Sequence, residues 1–318
     1  MIKRREFYSY SLDYLLRNKS KQYAKRKAYS KHEQLNNEDA SNRIAEMLQS
    51  DIPFATGRMG HFELASMRAY EFCRSNKYEI VMNNLYQCAG FFPNDVSLGD
   101  SFLLIMRESI KNMDIIACSG LLCENYFFDR YACSTAVLSK DFGLFEIAKL
   151  ENCWTASLEN KKVLVVSPFS DTIEKQYRKR EKLYIGTNIL PQFNLQTYQS
   201  LLTIGDTVDK RFASWFEALE YMKKEIIKLD FDVALLGCGA YGFPLADEIK
   251  KAGKQAIHMG GTLQLLFGIM GRRWDGSQTG QVGKIREDIA KYYNEYWTYP
   301  LEERPKDADK VEYGPYWR

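Results

Sequence analysis

Apolar and polar residues follow two periods along the chain, one typical of buried strands and one typical of amphipathic helices. The clearest strand is predicted over 161–169, where a charged start leads into an apolar run that Ser-Pro ends. The clearest helix is predicted over 212–229, whose apolar residues recur at steps of three and four. Further strands are predicted over 114–118, 201–204, 232–236 and 255–259, and further helices over 37–48, 63–73, 101–112, 173–183 and 244–252. This alternation predicts an α/β fold, a Rossmann-like, mainly parallel sheet with flanking helices.

The two ends of the chain differ in composition from its middle. Residues 1–31 carry ten Lys or Arg against two acidic residues, interleaved with Phe, Tyr and Leu. We therefore divide the chain into a basic N-terminal helical arm (1–36), an α/β domain (37–275) and an aromatic C-terminal extension (276–318). The arm either packs an apolar stripe on the domain or lies on an anionic membrane surface. Nucleic acid is not an expected partner, because the rest of the chain lacks a basic stripe.

Composition indicates an ordinary globular protein, with 318 residues of which 45% are apolar and 27% charged. The seven cysteines are odd in number and form no C-x-x-C pair, so we expect reduced thiols and no structural zinc. No stretch approaches the roughly 20 apolar residues of a membrane span, and the first residues lack the apolar core of a signal peptide. We expect a cytoplasmic protein, with contact at the inner face of the membrane if the arm binds lipid.

A glycine-rich turn stands between a predicted strand and a predicted helix. The sequence from Gly237 to Gly242 reads Gly-Cys-Gly-Ala-Tyr-Gly and matches G-x-G-x-x-G. Such a turn brings a ligand close to the backbone and points helix N–H groups at an anion. The residues expected to bind are Gly237, Gly239, Ala240, Tyr241, Gly242 and, after the next strand, Gly260. Tight packing of strand against helix, without a ligand, is the alternative.

The residue at the end of the next strand decides which cofactor is expected at this turn. NAD and S-adenosylmethionine usually require an acidic residue there to hold the ribose hydroxyls. His258 occupies this position. A dehydrogenase or a methyltransferase of the Rossmann type is therefore a weaker alternative.

A second turn, Thr56-Gly-Arg-Met-Gly-His-Phe-Glu63, concentrates polar chemistry within a few residues. The guanidinium of Arg58 can grip a phosphate or a carboxylate. His61 and Glu63 can share acid–base work or converge on a metal. The alternative is that Glu63 caps the following helix and Arg58 lies on the surface.

These two turns carry a resemblance to a known family. Residues 54–64 resemble the R-x-G-D-G-E segment of GT-D type glycosyltransferases, with Arg58, Gly60 and Glu63 in matching positions. Residues 233–246 and 254–260 resemble the later LGP-x-A-x-x-LA and G-x-x-A-x-D-x-G segments of that family. The resemblance implies a nucleotide-sugar-dependent glycosyltransferase of bacterial surface polysaccharide biosynthesis, acting on a glycan or lipid-linked acceptor.

The chain departs from the family pattern at two positions. His61 and His258 stand where the family has Asp. The family's Asp-x-Glu is associated with a divalent cation and the sugar-nucleotide diphosphate; an imidazole in its place favours Mn²⁺, or no metal, over Mg²⁺. The resemblance implies Glu63 as general base or metal ligand, with Arg58 and His258 stabilising the leaving group. A nucleotide- or sugar-binding protein without activity, and a different group-transfer enzyme, remain alternatives.

Overall fold

The computed structural model describes residues 5–12, 31–139, 142–147, 153–207, 209–281, 283–300, 304–305, 308–310 and 314–318. The strands are β1 (Gln34–Leu35), β2 (Ala55–Arg58), β3 (Ile115–Ala117), β4 (Val137–Ser139), β5 (Lys162–Ser167), β6 (Asn194–Gln199), β7 (Val233–Leu236) and β8 (Gln255–His258). The helices are α1 (5–12), α2 (Asn37–Gln49), α3 (His61–Glu71), α4 (Tyr78–Cys88), α5 (Gly99–Asn112), α6 (Glu124–Tyr131), α7 (Ser170–Tyr177), α8 (Arg180–Leu183), α9 (Trp215–Ile226), α10 (Gly242–Lys251), α11 (Leu263–Leu266) and α12 (Glu287–Ala290).

The strands form one sheet in the order β1-β4-β3-β2-β8-β7-β5-β6, and every pair is parallel. This confirms the predicted Rossmann-like α/β fold. At the centre, His258 of β8 lies opposite Gly57 of β2 on one side and Leu236 of β7 on the other. Consequently the two turns singled out in the sequence follow β2 and β7, the strands on either side of β8, and lie at the same edge of the sheet.

The sheet separates two hydrophobic cores, because successive strand residues point to opposite faces. In β5, Leu164 and Val166 pack into one core with α3, α4, α5, α6, α9 and α10. Val163 and Val165 pack into the other with α2, α7, α11, α12 and Trp317. Burial on both faces explains why β5 is an uninterrupted apolar run, as parallel sheets covered by helices require.

The predicted helix over 212–229 is confirmed as α9, with its start moved to Trp215 by the capping residues. The hydroxyl of Ser214 accepts from the Glu217 N–H, and the Glu217 carboxylate accepts from the Ala213 N–H at 2.8 Å. This arrangement resembles a capping box, shifted by one residue at the glutamate, and it fixes the first turn of the helix.

Several elements differ from the sequence prediction. In place of the strand predicted over 201–204, the edge strand is β6, which lies earlier in the chain. The prediction missed it because its sequence, Asn-Leu-Gln-Thr-Tyr-Gln, is largely polar and shows no apolar run. The helix expected over 173–183 is interrupted and forms α7 and α8. The sequence analysis did not predict β1, β4, α4 or α6, whose short or strongly aromatic segments carry little periodicity.

Part of the basic arm packs on the domain. In α1 the ring of Phe7 lies 5.1 Å from that of Phe72, and Tyr10 lies 5.2 Å from Tyr126. Tyr8 and Leu12 face outward, 69% and 58% exposed. Residues 1–4 and 13–30 of the arm lie outside the described residues, so membrane contact by the arm stays a prediction. None of the helices in the described part of the chain has the length and apolarity that crossing a bilayer requires.

Candidate functional site

A cavity of about 370 Å³ opens at the carboxyl ends of the central strands. From β2 the chain proceeds to β3, towards one edge of the sheet, whereas from β5 it proceeds to β6 at the opposite edge. Connections that diverge in this way leave a crevice outside the strand ends, where open α/β sheets bind their ligands. The lining residues come from the ends of β2, β3, β5, β6, β7 and β8 and the segments after them, from residues 88–90 at the end of α4, and from residues 273, 316 and 317.

Two arginines bring positive charge to the cavity. Arg58 ends β2, and its Nε donates to the carbonyl of Met259 at 3.2 Å. Its guanidinium also packs against Gly260, where a Cβ would lie 2.6 Å from Nη2. Arg273 lies with its guanidinium 4.9 Å from the ring centroid of Tyr316. Burial lowers the pKa of Arg58, and the charge of Arg273 adds to this effect; an arginine nevertheless stays protonated in proteins. Two cations at one crevice indicate an anionic ligand.

Glu63 and His61 lie together at the start of α3. The side chain of Glu63 is buried, 8% exposed, and its carboxylate folds back over Gly60, the residue that precedes the helix. An N3 glutamate in this place is a helix cap. Both residues also line the cavity, with His61 exposed at its rim. The geometry is thus compatible with capping and with catalysis.

The donor set here does not build a complete metal cage. In the ranges that the structure describes, no three His, Cys, Asp or Glu side chains converge to hold a metal ion. His61 and Glu63 supply two potential ligands at most, whereas protein metal sites commonly take three or more.

The glycine turn has the predicted strand–turn–helix context, but its glycines are required by protein packing. A Cβ on Gly237 would lie 2.7 Å from Leu263, and one on Gly242 would collide with the ring of His258. Gly239 has a φ of +58°, and a Cβ there would lie 2.8 Å from the carbonyl oxygen of Ala89. Tight packing, the alternative left open by the sequence, accounts for all three glycines.

The backbone N–H groups of the turn are partly committed to the protein. Ala240 donates to Ala89 O at 3.0 Å, and Gly237 donates to Val166 O at 2.9 Å. Within the described part of the chain, no carbonyl accepts from the N–H of Cys238 or Gly239, and both residues line the cavity. Of the backbone N–H groups from Gly237 to Gly242, those of Cys238 and Gly239 are therefore the candidates to bind an anion.

The expected binding residues of this region divide into two groups. Gly237, Gly239, Tyr241 and Gly260 line the cavity, whereas Ala240 and Gly242 lie behind its wall. Tyr241 is itself buried: its ring stacks on Trp215 at 5.5 Å, and its hydroxyl lies 2.9 Å from Thr203 Oγ1. Its main contacts are thus with the protein.

His258 lies in the cavity wall as a neutral imidazole. Its ring packs against Gly242, its Cβ lies beside Gly57, and the residue is 4% exposed. Burial lowers its pKa to about 3, and the charge of Arg58 contributes. Nδ1 lies 3.2 Å from the carbonyl oxygen of Leu236; since a carbonyl only accepts, Nδ1 carries the proton. The expected role of His258 as a cation beside a leaving group does not fit this environment.

The low pKa of His258 predicts a loss of stability in acid. His258 binds a proton below about pH 6.5 in the unfolded chain, but only below about pH 3 in the folded protein. The unfolded state therefore binds more protons in this window, and the free energy of unfolding falls by up to about 1.4 kcal/mol per pH unit as the pH decreases. His258→Asn keeps a donor for Leu236 and should flatten this dependence. Urea unfolding from pH 7 to pH 4 measures it; parallel curves for the two proteins would refute the assignment.

Several cavity residues were not found by sequence reasoning. They are Ser167, Ser200, Thr203, Gln264, Arg273, Tyr316 and Trp317. Arg273 lies beyond the last predicted strand, 255–259, and nothing there indicated that its side chain faces the crevice. Ser167 and Thr203 lie in predicted strands, 161–169 and 201–204, whose apolar pattern does not show which side chain reaches the cavity. Ser200, Gln264, Tyr316 and Trp317 lie outside every predicted helix and strand, so only the fold brings them to the site.

Comparison with known proteins identifies the fold. A family model described as a GT-D fold-like domain matches residues 35–266. Among solved structures, the chain is similar to one described by the words "The highly conserved domain of unknown function 1792 has a distinct glycosyltransferase fold". That similarity has 12% sequence identity and a TM-score of 0.44, and it covers 89% of this chain and 95% of the other. No curated protein matches the chain in sequence.

Proposed function

The chain belongs to the GT-D-like family, and from this premise we propose that it is a nucleotide-sugar-dependent glycosyltransferase. The observation that carries the proposal is the meeting of two guanidinium groups, Arg58 and Arg273, with the carboxylate of Glu63 in one crevice. Cations that bind a diphosphate and a carboxylate that accepts a proton are the groups that sugar transfer from a nucleotide requires.

The proposed reaction breaks the bond between the anomeric carbon of the sugar and the diphosphate oxygen. An acceptor hydroxyl forms the new bond to that carbon, and the nucleoside diphosphate leaves with the bonding electron pair. Glu63 takes the proton of the acceptor hydroxyl as that hydroxyl attacks. Arg58 and Arg273 stabilise the charge that develops on the leaving diphosphate, together with the N–H groups of Cys238 and Gly239.

The proposed reaction includes no step on a metal ion. His61 and Glu63 alone do not form a metal site, and two arginines supply the positive charge that a divalent cation would otherwise bring to a diphosphate. Mn²⁺ is the divalent ion that an imidazole–carboxylate pair favours, and it is included in the test below.

We propose further that the acceptor is a glycan or a lipid-linked sugar of a bacterial surface polysaccharide. The basic arm supports this assignment, because ten Lys or Arg in residues 1–31 favour an anionic membrane face where such acceptors lie. A cytoplasmic protein at the inner face of the membrane would meet both the nucleotide sugar and the acceptor.

A thermal-shift screen tests the proposed function. UDP-, GDP-, CMP- and dTDP-sugars are added separately, with and without Mn²⁺ and in the presence of EDTA. At a ligand concentration about 100 times Kd, the matching donor should stabilise the protein by about 2.7 kcal/mol, a shift of a few degrees in Tm. We expect stabilisation by one nucleotide class in EDTA as well. If none of the donors raises Tm under any condition, the proposed function is wrong.

A further inference from the structure

Three buried polar atoms in the wall of the cavity have no hydrogen-bond partner in the described part of the chain. They are Ser200 Oγ, Gln264 Oε1 and Trp317 Nε1. All three side chains line the cavity, and the residues are 4%, 2% and 2% exposed. A buried polar group left without a partner destabilises the protein. A polar molecule that enters the cavity can supply the missing partners.

These three residues form one continuous surface, called here the neutral wall. The amide of Gln264 donates to the carbonyl of Tyr316, the neighbour of Trp317, at 3.3 Å. The Trp317 ring lies 5.7 Å from Phe169, which follows β5. Ser200 follows β6, the strand that pairs with β5 along its whole length. The wall therefore extends from Gln264, which follows β8, to Ser200 at the β5–β6 end of the cavity.

The Ser200 end of the neutral wall lies far from the charged groups that follow β2, whereas its Gln264 end follows β8, the neighbour of β2. Ser200, Gln264 and Trp317 carry no charge, whereas Arg58 and Glu63 follow β2. Three strand spacings separate β2 from β5, or about 14 Å. Arg273, which stacks on Tyr316, lies against the segment that supplies Trp317. A ligand that satisfies both ends is elongated, with an anionic part and an uncharged part rich in donors and acceptors.

We propose that the neutral wall binds the nucleoside of the donor, with the transferred sugar at the β2 end. This orientation rests on the proposed function. The reacting carbon must lie beside Glu63, and the diphosphate beside Arg58 and Arg273, so the nucleoside extends away from β2. A nucleoside offers hydrogen-bonding groups of both kinds to the wall and an aromatic face or edge to Trp317 and Phe169.

Calorimetric titration of full-length variants tests this orientation. The probes are UMP, CMP, GMP and dTMP, the nucleotide sugar that the thermal-shift screen selects, and inorganic pyrophosphate as a report on the anionic end. Trp317→Phe keeps the ring and removes the N–H, and Ser200→Ala removes the hydroxyl. Each should weaken the best-bound nucleotide about tenfold, as the loss of one hydrogen bond does, and leave pyrophosphate binding unchanged.

Two matched variants control for nonspecific effects. Trp297 Nε1 and Thr56 Oγ1 are also buried, with no hydrogen-bond partner among the described residues, but neither residue lines the cavity. Trp297→Phe and Thr56→Val should therefore bind nucleotide like the wild type. Circular dichroism melting of all four variants verifies that each is folded at the titration temperature.

Several outcomes would overturn the assignment of the neutral wall to the nucleoside. Wild-type affinity in both cavity variants, an equal loss for nucleotide and pyrophosphate, or no nucleotide binding by the wild type would each do so. A loss confined to nucleotide sugars, with nucleotides unaffected, would place the sugar at the wall and reverse the orientation. Nucleotide binding that depends on Trp317 without any sugar transfer would support the wall as a nucleoside site and refute the transferase proposal alone.

Discussion

Replacing Glu63 by glutamine should lower sugar transfer by roughly 10²–10⁴-fold while donor affinity stays close to that of the wild type. Glutamine has nearly the same shape and keeps an oxygen that can face Gly60, so the start of α3 should survive. It cannot accept the proton of the acceptor hydroxyl, which is the task that the proposed reaction assigns to Glu63. Transfer is measured as nucleoside diphosphate released per unit time, and affinity by titration with the donor.

The matched control for this variant is Glu217→Gln. Glu217 is the capping glutamate of α9, where its carboxylate accepts from the Ala213 N–H, and it does not line the cavity. Its replacement should change stability by an amount typical of a helix cap, about 1 kcal/mol, and leave turnover unchanged. If Glu63→Gln behaves in the same way, Glu63 is a helix cap only. Tight donor binding by a wild-type protein that shows no turnover would identify a binding protein.

Replacing Arg58 by lysine should weaken donor binding by about 10–100-fold, even though the positive charge is kept. An ammonium cannot reproduce the planar fork by which a guanidinium binds a phosphate while Nε holds Met259 O, and hydrogen bonds to charged groups contribute about 1.5–3 kcal/mol each. The loss should be the same for a nucleotide sugar and for pyrophosphate. Calorimetric titration with both ligands measures it.

Arg68→Lys is the control for this effect. Arg68 is likewise half-buried and donates to a backbone carbonyl, that of Leu122 at 3.1 Å, but it does not line the cavity. Its replacement should leave both affinities unchanged. Unchanged affinity in Arg58→Lys itself would mean that the diphosphate binds elsewhere.

The central part of the fold could be predicted from the sequence because its signals are local. An apolar run, a glycine turn and an amphipathic helix identify β7, α10 and β8, and parallel pairing then brings the end of β8 beside the end of β2. That reasoning placed the glycine turn at the end of β7 and His258 at the end of β8, whereas the position of Arg58 and Glu63 beside them is seen only in the structure. The edge strand β6 was misplaced because a polar edge strand has no apolar period to detect.

The rest of the site could not be predicted because it depends on distant contacts. Trp317 reaches the cavity through backbone hydrogen bonds such as that from the Arg272 N–H to its carbonyl, and no periodicity marks this segment. The neutral state of His258 follows from burial between Gly57 and Gly242, which only the packed structure reveals. The spacing of the glycine turn did not show that close packing also requires Gly237, Gly239 and Gly242, because the atoms they contact come from distant segments.

A crystal structure of the protein with a bound nucleoside diphosphate would show directly whether the crevice at the strand ends binds the donor. The nucleotide is chosen by the thermal-shift screen and soaked or co-crystallised at a concentration well above its Kd. We predict that its phosphates lie within hydrogen-bond distance of Arg58 and Arg273, and its base against Trp317 and Ser200. Phosphates bound outside the crevice at the carboxyl ends of β2, β8 and β7 would contradict this placement of the donor. An empty crevice at saturating nucleotide would contradict it as well.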